Sequence, residues 1–203
     1  MLGTIAEAVT WACWGAAGLV WAAGALRARR GSAGAERAGR DVASTAAAIV
    51  AAGILVSPAA WWRPLSTRAG WVLIAGLVLL LTATAWAIGA RLTLGSMWAS
   101  GVIVRQDHQL RTGGLYRVTR HPVYTGILGM LAGTTLALGL GRWIALTAVV
   151  AAILLAKARA EGRLLAAAFP AEYEDYARKV PMIVPRLGGR RRAAGGTTDD
   201  RGR

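Results

Sequence analysis

Five stretches of this chain are apolar and almost free of charge, at about residues 5–26, 42–62, 71–90, 122–140 and 143–158. Each approaches the roughly 20 residues that a helix needs to cross a bilayer core. The apolar residues run continuously and do not alternate, which predicts helices rather than strands. Lipid offers the backbone no hydrogen-bond partner, so helices also satisfy the peptide groups there. The pattern therefore predicts an all-α integral membrane protein: five transmembrane helices in one bundle, a cytoplasmic loop and a short C-terminal amphipathic helix. The first stretch carries Glu7 and no basic leading region, so it reads as a retained helix and not as a signal peptide.

The polar segments divide the chain further. "RARRGSAGAERAGRD" reads as a plain connection between the first two apolar runs. Residues 99–120 are too polar to span, with a β-like run at Val102–Val104 and a turn at Gly113-Gly114. Long polar insertions of this kind are where function concentrates. The last apolar run has no clean end, because "AAILLAKARAEGRLLAAAF" keeps helical periodicity past the expected membrane edge. "FPAEYEDYARKV" comes next, with Phe169, Tyr173, Tyr176 and Val180 on one face, acids early and bases late, as a helix dipole favours. The expected division is residues 1–98 as scaffold helices with a possible substrate groove, 99–185 as the catalytic region, and 186–203 as a disordered basic tail.

Charge changes the picture in one respect. A net charge of +14 could signal nucleic acid, but its placement points elsewhere. Of 24 Lys and Arg, only Arg63, Arg68 and Arg142 fall in the loops on one side of the predicted spans. The asymmetry is the positive-inside pattern, which predicts the N-terminus outside and the C-terminus in the cytoplasm; scarce Lys beside abundant Arg and Ala points to a bacterial plasma membrane. The basic residues then face anionic lipid, and no nucleic-acid partner is expected. The single cysteine, Cys13, excludes an intrachain disulfide and a cysteine-built metal site, and no metal is expected.

Candidate chemistry gathers at one level. Pro122 suits the first turn of a helix, which places His121 at its cap beside Arg120. Tyr116 and Tyr124 bring hydroxyls, and the short Gly139–Arg142 connection makes the next helix adjacent, with Glu161 and Lys157 a turn apart. A helix N-terminus binds anions and a carboxylate binds cations, so the set could hold a zwitterion. Each residue also has a plainer reading, as interfacial arginines and tyrosines, an exposed Glu161 ion pair or a capping histidine. Gly126, Gly129 and Gly133 form a thin face suited to helix packing or to a ligand.

"HQLRTGGLYRVTRHPVYTG", with K-x-x-x-E-x-x-L-L-x-x-x-F-P-x-x-Y-x-x-Y-x-x-x-V-P downstream, resembles the isoprenylcysteine carboxyl methyltransferase family and its bacterial relatives over about Trp98 to Pro185. The resemblance implies a membrane methyltransferase using S-adenosylmethionine on a lipid-like or hydrophobic acceptor. It implies cofactor contacts from His108, Gln109, Leu110, Arg111, Tyr116, His121, Pro122, Val123, Tyr124 and Glu161, and Arg120, beside the start of the fourth helix, is expected to help receive the cofactor carboxylate. Tyr124 and Lys157 become the candidate catalytic residues, Lys157 orienting an anionic acceptor where the eukaryotic enzymes carry Arg. Departures are Gly162 in place of a second Glu, Pro170 in place of a frequent Gly, and Arg111 in place of a common Val.

Methyl transfer from a sulfonium is an in-line displacement that asks mainly for alignment and electrostatics. A carboxylate acceptor is the first expectation, since it needs no base. Alternatives are a phospholipid amine, which would need His121 or Glu161 to take a proton, a sterol-reductase-like enzyme using a nicotinamide, and a non-catalytic scaffold.

Overall fold

The apolar runs form long helices that tolerate isolated glycines, and the chain turns at the Ser57-Pro58 step and at Gly139–Gly141. The computed structural model describes residues 1–31, 42–67, 69–94 and 112–185. Among the described residues six α-helices appear, in the order α1 (Leu2–Gly31), α2 (Val42–Val56), α3 (Gly70–Leu94), α4 (Pro122–Ala137), α5 (Arg142–Ala168) and α6 (Pro170–Lys179). Short 3-10 turns lie at Ala59–Leu65 and Gly114–Arg117. Among the described residues no strand forms, and Ser66 and Leu140 make an isolated bridge. His108, Gln109, Leu110 and Arg111, the β-like run at Val102–Val104 and the basic tail lie outside the described residues.

The chain is an integral membrane protein. Among the described residues three helices are long and apolar enough to cross, at Leu2–Leu26, Gly70–Thr93 and Arg142–Ala168. The expected single span over 42–62 is bent by 92° after Val56. The cause is the Ser57-Pro58 step. Pro58 has no N–H to continue the helix, Ser57 Oγ donates back to Ile54 O at 2.6 Å, and Trp62 Nε1 donates to Ser57 Oγ at 2.7 Å. Counted as one span, the bent pair makes four. α4 has 16 residues and is shorter than a full crossing.

α4 packs chiefly against α3, and its glycine face is filled by that helix. A Cβ on Gly126 would lie 2.7 Å from Ala87 Cα, and one on Gly133 would lie 2.5 Å from Leu80 N. The face therefore serves backbone-to-backbone packing, of the kind small residues allow in membranes. α1 closes this core with Val9, Cys13, Trp14, Ala17 and Trp21 against Leu80, Ala83, Ala87 and Met130. α2 packs on α5.

The α4–α5 turn is tight. Gly139, Leu140 and Gly141 all take positive φ, at 85°, 64° and 59°. Leu140 adopts a left-handed conformation unusual for its type, and its N–H is held by Thr135 O at 2.8 Å. This turn reverses the chain within a few residues, so α5 returns beside α4 and brings Glu161 to the level of His121.

Candidate functional site

The site is built at the N-terminal end of α4. Pro122 begins the helix and is fully buried, and its carbonyl accepts from Trp86 Nε1 of α3 at 3.0 Å. His121 takes the N-cap position, but its side chain caps no backbone group. It is turned instead toward α5. His121 Nδ1 lies 3.5 Å from Glu161 Oε2, and Tyr124 Oη donates to Glu161 Oε1 at 2.5 Å. The His121 and Tyr124 rings stack, with centroids 5.6 Å apart and 11° between planes. His121 is 8% exposed and Glu161 29%. Glu161 is thus a half-buried carboxylate with both oxygens engaged, which sets aside its reading as an exposed ion pair on one turn of α5.

The segment after α6 holds this helix start in place. Arg120 N donates to Pro181 O at 2.8 Å, His121 N to Met182 O at 3.0 Å, and Thr125 Oγ1 to Ile183 O at 2.7 Å. Thr119, fully buried, shares a hydroxyl contact with Thr125 at 3.2 Å. The N–H groups of Arg120 and His121 are therefore already bonded. A carboxylate approaching this helix start would meet the next N–H groups, those of Val123 and Tyr124.

α6 supplies two buried tyrosines. Tyr176 Oη donates to Tyr116 O at 2.6 Å, fixing the Gly114–Arg117 turn, and burial pushes its phenol pKa up to about 12. Tyr173 Oη accepts from an Arg120 terminal nitrogen at 3.0 Å, while the Arg120 guanidinium stands 5.6 Å over the Tyr173 ring. A Cβ on Gly162 would come 2.8 Å from that same hydroxyl. Glycine at 162 thus makes room for the Tyr173–Arg120 contact.

Of the residues singled out from the sequence, Tyr116, Arg120, His121, Pro122, Tyr124 and Glu161 meet in this one region. Val123 is half-buried beside them. Lys157 is exposed, one turn before Glu161 and near enough for its charge to act on that carboxylate. Sequence reasoning missed Thr119, Thr125 and the 181–183 segment. Tyr173 was visible as part of the amphipathic stripe, but its hydrogen bond to Arg120 was not. Two buried nitrogens here, Arg120 Nε and His121 Nε2, have no hydrogen-bond partner among the described residues. No group of three potential metal ligands occurs among the described residues.

Known proteins are similar to this chain. Residues 72–167 match the model of the isoprenylcysteine carboxyl methyltransferase (ICMT) family. Methanethiol S-methyltransferase 2 of Bradyrhizobium diazoefficiens is 34% identical, over 70% of this chain and 68% of its own. The chain belongs to the isoprenylcysteine carboxyl methyltransferase family. A second relative, the cobalt-zinc-cadmium resistance protein CzcN of Cupriavidus metallidurans, is 39% identical over 47% of this chain, which spans 44% of that protein's length. The solved eukaryotic intramembrane Ras methyltransferase ICMT shares the fold, with a TM-score of 0.57 and 24% identity over 74% of this chain and 55% of that one. The family match ends at residue 167, so the Tyr173–Arg120 and Thr125–Ile183 contacts join the matched part of the chain to residues beyond it.

Proposed function

We propose that this chain is an S-adenosylmethionine-dependent methyltransferase whose acceptor is a hydrophobic thiol reaching the site from the membrane. The observation that carries the reading is the sharing of one half-buried carboxylate, Glu161, between the Tyr124 hydroxyl and the His121 imidazole. The residues fit the cofactor's amino-acid end. Glu161 offers the anion that an ammonium needs, and Arg120, with an unpartnered buried Nε, offers donors for a carboxylate. His108 through Arg111 and Tyr116 complete the proposed contacts. S-adenosylmethionine, when bound, supplies an electrophilic methyl group on a sulfonium.

The chain's own residues then have two tasks. Stacked His121 and Tyr124 present a fixed wall, so orientation is set before the acceptor arrives. A thiol must lose its proton to be a good nucleophile, and the Tyr124–Glu161–His121 cluster is where that proton goes. With the cofactor bound, the S–H bond would break toward the cluster and an S–CH3 bond would form as the methyl group's bond to the sulfonium breaks, with a neutral thioether as the leaving group. A relative matching most of this chain is named for a thiol acceptor, which supports the same class. A carboxylate acceptor is the second reading, supported by Lys157, whose ammonium would orient an anion beside Glu161. We place the C-terminal end of α5, and with it the site, on the cytoplasmic side of a bacterial plasma membrane.

The test is methyl transfer from labelled S-adenosylmethionine by the purified protein in bilayers. Acceptors are a membrane-soluble thiol, a prenylated cysteine and phosphatidylethanolamine. Label on the thiol supports the reading, whereas label on the prenylcysteine carboxylate alone replaces it with the second. Calorimetry alongside should show Glu161→Gln binding the cofactor about ten- to a hundredfold more weakly, the cost of one charge-assisted hydrogen bond. Unchanged affinity removes Glu161 from the cofactor site.

A further inference from the structure

At the end of the bundle opposite His121 and Glu161 lies a cavity of about 1050 Å³. It is walled by the start of α1, the Ala59–Leu65 turn, the start of α3 and the α4–α5 turn. Its position makes it a separate site. Both Tyr124-to-Thr134 along α4 and Glu161-to-Trp143 along α5 run most of the helix, and at 1.5 Å per residue the latter alone is roughly 27 Å. The cavity exceeds the usual size of a small-molecule pocket.

Its chemistry is specific. Trp11, Trp14, Trp62 and Trp143 contribute to the wall together with one carboxylate, Glu7, and one guanidinium, Arg142. Much of the remaining polar wall is already paired. Trp14 Nε1 donates to Thr134 Oγ1 at 3.0 Å, Trp62 Nε1 to Ser57 Oγ, Thr10 Oγ1 to Ala6 O at 2.8 Å and Ser66 Oγ to Trp62 O at 2.8 Å. Glu7 and Arg142 differ. They carry opposite charges, line the same cavity, and among the described residues neither has an ion-pair partner. Arg142 spends one donor on Leu55 O at 2.6 Å, out of the five a guanidinium carries. Glu7 is exposed and lies five residues from the start of a helix segment apolar enough to cross a membrane, at the level where a headgroup would sit.

We propose that this cavity holds the headgroup of a zwitterionic phospholipid, its phosphate toward Arg142 and its ammonium toward Glu7. Two unpaired opposite charges in one cavity complement a dipolar ligand better than either single ion. Guanidinium is suited to phosphate, tryptophan faces suit an ammonium, and tryptophan is at home at the level of headgroups. The acyl chains would run down the lipid-facing surface of α1 and α3, where Leu2, Ile5, Ile74 and Val78 are exposed.

The experiment is native mass spectrometry of the full chain released from bilayers of equal parts phosphatidylethanolamine and phosphatidylglycerol with identical acyl chains. Wild type should retain the zwitterionic lipid preferentially. Glu7→Gln should lower the zwitterionic-to-anionic ratio about tenfold, and Arg142→Gln should lower retention of both lipids, the scale set by a lost charge-assisted bond. The ratio is read on folded, lipid-carrying protein, so partial loss of folding does not imitate the effect. Equal retention of the two lipids by wild type, or ratios unmoved in Glu7→Gln, overturns the proposal. Glycerophosphoethanolamine, which lacks acyl chains, should not compete at equal concentration; if it does, the occupant is a soluble ion pair and the lipid assignment is wrong.

Discussion

Glu161 decides the character of the site because its two oxygens serve two different partners, a phenol at 2.5 Å and an imidazole at 3.5 Å. Lys157 stands one helical turn away and is exposed, so its ammonium can reach either the acceptor or the water. The two acceptor readings part at this residue. If the acceptor is a thiol, Lys157→Met should leave kcat within about twofold, since an exposed charge is strongly screened. If it is a carboxylate, Lys157→Met should raise KM or lower kcat with cofactor affinity unchanged, and Lys157→Arg should restore part of the activity. Steady-state kinetics on the acceptor that takes the label separates the two. The meeting of Tyr124 with Glu161 was legible in the sequence, because so short a connection forces α5 back along α4. The turning of His121 away from the backbone was not. A histidine before a proline reads as a cap, and only the carboxylate from another helix shows why it turns.

Among the elements, the segment after α6 acts as a strap over the start of α4. It accepts two backbone N–H groups and the Thr125 hydroxyl, all within residues 181–183. Thr125→Val keeps the shape and removes the donor, leaving the buried Ile183 carbonyl short of a bond. The expected loss is about 1–3 kcal/mol in stability, with a fall in kcat if His121 shifts, while Thr125→Ser should restore both. Thermal melts in detergent and turnover measured side by side check this. No sequence pattern announces such a strap, since its bonds join residues about 60 apart and involve backbone groups common to every residue type. The α3–α4 seam was half legible. The glycines at 126, 129 and 133 marked a thin face, but only Ala83, Ala87 and Leu80 show what fills it. Gly126→Ala should cost about 1–3 kcal/mol through overpacking, offset by up to about 1 kcal/mol of helix propensity. A melt at or above the wild-type temperature would mean that the seam can open.

For the whole molecule, the distribution of basic residues and the bundle geometry make one shared prediction. Reporter fusions after Arg40 and after Lys179 should both report cytoplasm, and a periplasmic signal at either position overturns this topology. The break at Ser57-Pro58 bears on that count. It was hidden in the sequence because hydropathy averaged over the window ignores a single missing N–H, although the proline itself was in plain view. α4 carries a further consequence. Its 16 residues rise about 24 Å, against a hydrocarbon thickness of roughly 30 Å. The turn after its far end is tethered to residues 65–67 through Gly141 N to Leu65 O at 3.0 Å and Thr67 N to Gly139 O at 3.0 Å, so the helix cannot slide freely to the other side. This hydrophobic mismatch leaves Tyr124 below the headgroup plane unless the bilayer thins around it. On the function proposed above, an oily acceptor diffusing in the membrane plane would meet this end of the helix sideways, without crossing into water.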